Sequence, residues 1–293
     1  MKNKGILLIL LSTILYSIMP VLIRMLGGNG LPPIAQVFLR YIVACIAAAV
    51  YFFRQISHNR IIIRKKDIVL LLITTIFGYA LTNLFYTYSI LNTQVSNALF
   101  LFFTFAIIAP ILAFILLKEK INAFNVVALI ATAFALVLLF QPNAIPTWKI
   151  GGVFAILSAL GQAVYLIIRK KLSNYSAEFL MFANTLMGVI VLGVLSLMIE
   201  LPFYSQGGLQ KVSANTWITT VLFGIDNFFA WLVMTKGFEY VKAATGSILL
   251  LSELVVGILL AFVFFREIPT SATLIGGSLI LVSSVLVILK GEN

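Results

Sequence analysis

The stretch 247–267, SILLLSELVVGILLAFVFFRE, is apolar along its middle except at Ser252 and Glu253. Glu is almost never buried in water-soluble proteins without a partner. In a bilayer an ionisable side chain costs more, and it marks a functional site by default. Composition says which solvent surrounds this one. Of 293 residues, 62% are hydrophobic and only 10% are charged, against roughly 25% charged in an ordinary soluble domain. The mean hydropathy is +1.12. A chain this apolar cannot cover itself with polar surface, so it is read as a protein of the lipid bilayer.

A spanning helix needs about 20 mostly apolar residues. Ten segments qualify: 5–26, 34–53, 68–91, 95–117, 123–140, 150–169, 177–199, 215–236, 243–265 and 270–289. Turn chemistry separates them, as in GGNGLPP after the first and QPNAIPTW after the fifth. The first span is longer than a secretory signal core and no small-residue cleavage site follows it, so it is expected to be retained. Pro20 interrupts it and reads either as a hinge or as a static kink.

Basic residues set the orientation. Fifteen Lys and Arg, from Lys2 and Lys4 through Arg54, Arg64, Lys118, Arg169–Lys171 and Lys242 to Lys290, fall on one side, and three, Lys149, Lys211 and Arg266, on the other. Both termini are therefore expected in the cytoplasm, with the chain multi-pass in the cytoplasmic membrane. The net charge of +11 is this asymmetry, and nucleic acid is not an expected partner. One Cys, Cys45, and one His, His58, exclude a His/Cys metal cluster. GGNG in the first outer loop is no phosphate-binding loop, since no G-K-[ST] follows.

The chain also repeats itself. LAFILLKEKI from Leu112 and LAFVFFREIP from Leu260 align at an offset of 148, and ITTIFG (73–78) echoes ITTVLFG (218–224). Two five-helix halves, 1–141 and 147–293, result. Five is odd, so the second half is inverted relative to the first. Inverted repeats are the usual basis of alternating access, with the substrate site near the midplane between them. The expected fold is thus an all-α membrane protein of ten transmembrane helices in two inverted repeats, together one membrane domain.

With these features the sequence resembles the EamA-type transporters of the drug/metabolite transporter superfamily. Glu253 and Glu267 keep the fourteen-residue spacing common in that family, although Leu254 stands where Pro often follows, and Pro110 lies only nine residues before Glu119. The resemblance covers essentially the whole chain. It implies export of small metabolites, often amino acids, without an organic cofactor.

Helical spacing places several polar residues on shared faces. Thr75, Tyr79, Asn83 and Tyr86 form one stripe; Ser158, Gln162, Tyr165 and Arg169 form another, with Ser12, Tyr16, Met19 and Ile23 as first-half counterparts. Such stripes face neighbouring helices or a water-filled cavity. Asp226, Asn227 and Trp231 lie in the eighth span, and Gln36 and Arg40 in the second. Tyr16, Arg40, Tyr79, Asn83, Tyr86, Gln162, Tyr165, Asp226 and Trp231 are the expected substrate-binding residues. Arg40 is suited to a carboxylate, unless it forms a structural pair with Asp226 or Glu253. Glu253 is expected to carry a proton during transport or to bind a substrate amine; the alternative is a hydrogen bond that fixes helix packing. Glu119, Glu239 and Glu267, at helix ends, are expected to be structural.

The function expected from these features is secondary active transport of small metabolites, amino acids or related amphiphilic compounds foremost, in the direction of export across the cytoplasmic membrane. A passive channel or lipid scramblase, and a membrane-embedded enzyme, are the alternatives; the lone loop His58 gives an enzyme neither a nucleophile–base pair nor metal ligands. The expected partners are a small-molecule substrate and the lipid bilayer, with a monomer as the working form.

Overall fold

The computed structural model describes residues 2–55, 63–119, 123–139, 149–266, 268 and 271–290. Among them there are helices and no strands. Eight helices are long and apolar enough to cross a membrane. They are α1 (Asn3–Gly28), α2 (Pro33–Gln55), α3 (Lys65–Asn92), α4 (Val95–Leu117), α6 (Ile150–Lys171), α7 (Ala177–Ile199), α8 (Ala214–Gly237) and α9 (Ala243–Phe265). Two more helices, α5 (Ala123–Leu139) and α10 (Ser271–Lys290), have shorter apolar stretches, Ala123–Ala135 and Leu274–Leu286. His58 and Glu267 lie outside the described residues.

The helix ends follow from local chemistry. Ser176 and Ser213 cap α7 and α8 by accepting from the backbone N–H of Phe179 and Thr216, both at 3.2 Å. Helix α2 starts behind Pro32 and Pro33, and its orphan N–H groups are met from a distance. The Glu200 carboxylate, just past the end of α7, accepts from Ile34 N at 2.8 Å and Ala35 N at 2.6 Å. A carboxylate at a helix N-terminus is doubly favoured, by the hydrogen bonds and by the dipole. Helix α1 runs on through Pro20.

Two of the helices are interrupted. Helix α4 breaks at Phe103–Thr104, between α-helical pieces Val95–Phe102 and Phe105–Leu112. Helix α9 breaks at Leu251, between Ala243–Leu250 and Ser252–Phe265. Both breaks carry tightened i→i−3 bonds, Thr104 N to Leu101 O at 3.3 Å and Leu251 N to Ile248 O at 3.1 Å. Each helix then ends on a basic residue in left-handed conformation, Lys118 and Arg266, both at φ 54°. In sequence Lys118 and Arg266 stand 148 residues apart, and so do Phe103 and Leu251.

Packing is pairwise and reciprocal. Helix α1 lies along α8, and α3 along α6; α2 pairs with α7, and α5 with α10. Helices α4 and α9 cross, the first piece of each against the second piece of the other. Small residues allow the closest approaches. A Cβ on Gly224 of α8 would sit 2.6 Å from the Arg40 carbonyl of α2. Helix α3 has a wide π-turn at Ile73–Leu81, where Thr82 Oγ1 bonds Phe77 O at 2.9 Å. Gly161 and Ser158 of α6 fit this bulge, Ser158 Oγ donating to Thr82 O at 2.9 Å.

Gly161→Ala would set a methyl carbon 2.0 Å from Thr82 Oγ1. The overpacking is expected to cost about 1–3 kcal/mol, read as a lower thermal unfolding midpoint in detergent. An unchanged midpoint would mean that α3 and α6 part here without cost.

Candidate functional site

The interrupted helices meet at an internal cavity. Its lining comes from α1 (Tyr16, Met19), α3 (Thr82, Asn83, Tyr86), α4 (Phe102, Phe105), α6 (Ser158, Gln162), α8 (Trp231) and α9 (Leu250, Glu253). The space left free is about 30 Å³, room for one or two water molecules. Six of the residues expected from the sequence therefore line one cavity: Tyr16, Asn83, Tyr86, Gln162, Trp231 and Glu253.

Glu253 stands in the first turn of the second α9 piece, next to the break, and is 5% exposed. Its carboxylate takes no hydrogen bond and makes no ion pair among the described residues, so it does not pin α9 to a neighbour. Aromatic rings dominate the rest of the wall. The Tyr86 and Phe102 rings lie 4.8 Å apart, and Phe102 and Phe105 5.1 Å. The Tyr86 hydroxyl and the Trp231 indole nitrogen are buried without a partner.

Tyr79 and Tyr165 do not line the cavity; they stand behind Trp231. Their rings are 4.5 and 4.7 Å from the Trp231 ring, and Tyr16 is 5.9 Å from it. Their hydroxyls are held, Tyr79 by Asn227 Oδ1 at 3.1 Å and Tyr165 by Thr235 Oγ1 at 2.8 Å. One turn further along α6, Arg169 pairs with Glu239 at 2.7 Å. Aromatic rings and then an ion pair thus separate the cavity from the Lys/Arg-rich end of the bundle. That end carries further ties. Lys236 meets Glu178 at 2.7 Å, and the Glu119 carboxylate accepts from Ala243 N at 3.1 Å. Glu119 and Glu239 therefore join helix ends.

Arg40 and Asp226 are also outside the cavity wall. Arg40 is fully buried. It donates from Nη2 to Asn83 Oδ1 at 3.3 Å and Thr87 Oγ1 at 3.4 Å, and lies on the Phe223 ring at 4.2 Å. Among the described residues no carboxylate comes within 4 Å of it. The Arg40–carboxylate pair weighed from the sequence is not formed. Arg40 Nε and Nη1, one oxygen of Asp226 and both amide atoms of Gln36 remain buried without partners. Arg40 reaches the cavity only through Asn83, whose amide nitrogen donates to Tyr79 O at 3.1 Å. The guanidinium thereby fixes which way the Asn83 amide points.

Met19, Thr82, Phe102, Phe105, Ser158 and Leu250 complete the lining. Phe102 and Phe105 carry no polar signal. The 148-residue offset does point to them, since it sets Phe105 against Glu253 and Phe102 against Leu250.

The profile of the EamA-like transporter family matches residues 3–141 and again 149–289. The chain belongs to that family. It is a multi-pass membrane protein of transporter type. It is similar to a protein of Clostridium kluyveri described as an uncharacterized transporter, 23% identical, with 97% of this chain and 93% of that protein covered. A second relative, from Archaeoglobus fulgidus and described in the same words, is 26% identical over 93% of this chain and 92% of its own length. One solved structure, titled only as the crystal structure of a protein, superposes with a TM-score of 0.72 at 15% identity, covering 96% of this chain and 97% of its own. That likeness concerns the fold.

An unpaired buried charge is worth little to stability, and apolar replacement of similar volume is tolerated. Arg40→Met is therefore expected to unfold at or above the temperature of Arg40→Lys, which keeps the charge but loses the planar fork and the stacking on Phe223. Thermal unfolding of both purified variants checks this. The reverse order would mean that the charge is paired.

Proposed function

We propose that this transporter is a secondary active carrier working by alternating access. It moves small amphiphilic metabolites, amino acids and related compounds among them, out of the cell across the cytoplasmic membrane, with both termini inside. The observation that carries this reading is Glu253, a buried carboxylate without a partner among the described residues, in a cavity between two interrupted helices. Interrupted helices at the centre of a bundle are where carriers bind substrates and coupling ions.

Other features support it. The family profile matches twice, once in each half. We read helices α1–α5 and α6–α10 as two units, 1–141 and 147–293, of opposite orientation. The reciprocal packing agrees: α1 on α8 mirrors α6 on α3, and the breaks of α4 and α9 fall at equivalent positions. Two units related in this way exchange conformations at similar energy, opening the cavity first to one side and then to the other. The ring layer of Trp231, Tyr79 and Tyr165, with the Arg169–Glu239 pair beyond it, is the closed path toward the cytoplasm in this conformation. Opening that path requires the pair to part.

Counterflow in proteoliposomes tests the carrier mechanism. Transport is expected to saturate and to be accelerated by unlabelled solute on the far side; linear uptake without acceleration would indicate a channel. Asn83→Ala and Gln162→Ala are expected to slow counterflow about tenfold, a loss of ~1.4 kcal/mol; Gln162→Ala keeps a nearly unchanged thermal midpoint, whereas Asn83→Ala lowers it because the buried Arg40 loses an acceptor. Wild-type rates in both would make these residues packing groups. Glu253→Gln, which keeps size and hydrogen bonding but cannot ionise, is expected to abolish net transport driven by a proton gradient.

A further inference from the structure

We infer that the cavity between α4 and α9, once it opens beyond the space free in this conformation, recognises an organic cation, a small amine with an aromatic or apolar body, and rejects zwitterions and anions of the same shape. This rests on the carrier mechanism proposed above and replaces its broad substrate class with a narrower one, amines, that leaves amino acids out.

Glu253 is the one charged side chain among the described residues that line the cavity. Among the described residues no donor or cation neutralises it. A ligand that brings a positive charge completes this site; one that brings a carboxylate adds a second negative charge to the same small, desolvated space. Arg40 does not relieve that conflict. It is absent from the cavity wall, its Nη2 is turned to Asn83 and Thr87, and Phe223 covers its face.

The neutral groups point the same way. One amide hydrogen of Asn83, one of Gln162 and the hydroxyl hydrogen of Ser158 are engaged by Tyr79 O at 3.1 Å, Met234 Sδ at 3.7 Å and Thr82 O at 2.9 Å. Acceptors are open: among the described residues the one bond of the Gln162 amide is made by its nitrogen, which leaves the oxygen unfilled, and the Tyr86 hydroxyl is buried without a partner. Trp231 Nε1 is an unused donor but carries no charge. An ammonium group has three donors and no acceptor, so it fits what the wall leaves unfilled. The rings of Tyr16, Tyr86, Phe102, Phe105 and Trp231 supply the rest of the surface. Aromatic faces attract a desolvated cation and accept an apolar body.

Three probes of one skeleton test the inference: 2-phenylethylamine, phenylalanine and 3-phenylpropanoate, which at neutral pH are cation, zwitterion and anion. Each is titrated into purified protein in nanodiscs, with tryptophan fluorescence and calorimetry as readouts. The amine is expected to bind saturably and at least about tenfold more tightly than phenylalanine, and phenylpropanoate neither to bind nor to compete. Glu253→Gln, with an unchanged thermal midpoint, is expected to weaken the amine at least about tenfold. Phenylalanine as tight as the amine, binding of phenylpropanoate, or no saturable binding of any probe would overturn the assignment. The wild-type series decides even where the variant does not fold. Counterflow with labelled amine separates the two claims. Selective binding without counterflow keeps the cation site and removes the carrier reading. Counterflow of phenylalanine but not of the amine keeps the carrier and removes the cation site.

Discussion

Hydrocarbon offers a polar group no partner, so every donor, acceptor and charge in the spanning helices has to be met from within the protein. In this chain that constraint turns the polar stripes of α3 and α6 toward each other and leaves the outer faces to exposed residues such as Leu7, Phe53, Phe134 and Ile190. Most inward groups find partners: Ser158 with Thr82, Tyr79 with Asn227, Tyr165 with Thr235. Glu253 does not. Holding a carboxylate in that condition disfavours the folded chain unless a ligand or proton completes it, which is why its placement beside the break in α9 organises the functional account.

The breaks have a cost and a use. Each loses regular backbone hydrogen bonds, and the tightened turns at Thr104 and Leu251 recover part of them. In return, helix ends come to lie at the cavity. The ties at the two ends of the bundle are of different kinds. At the basic end, side-chain ion pairs such as Arg169–Glu239 and Lys236–Glu178 join neighbouring helices and dissolve readily in water. At the other end, Glu200 takes two backbone N–H groups of α2, a firmer union of α2 with α7.

Much of this was legible in the sequence because it depends on local pattern. Apolar length located the helices to within a few residues, and i, i+4, i+7 spacing brought Asn83, Tyr86 and Gln162 to one cavity. The 148-residue offset foreshadows the matched breaks. What a stripe cannot tell is depth. Tyr79 and Tyr165 share faces with cavity residues yet stack behind Trp231, because the width of that ring decides which neighbour reaches the space. Nor does spacing give partners across helices. Arg40 met an aromatic face and an amide where a carboxylate was a reasonable expectation. The π-turn of α3, which sets how Asn83 and Thr82 are rotated, has no simple residue signature.

The central claim is that one buried cavity opens to each side of the membrane in turn. Ser158 lines it, and cysteine is the replacement nearest to it in size and shape. Ser158→Cys in a Cys45→Ser background, probed with a membrane-impermeant thiol reagent in right-side-out and in inside-out vesicles, tests the claim most directly. The account predicts modification from both sides, and slower modification from both in the presence of a transported solute. Modification from one side only, whatever the conditions, would contradict it.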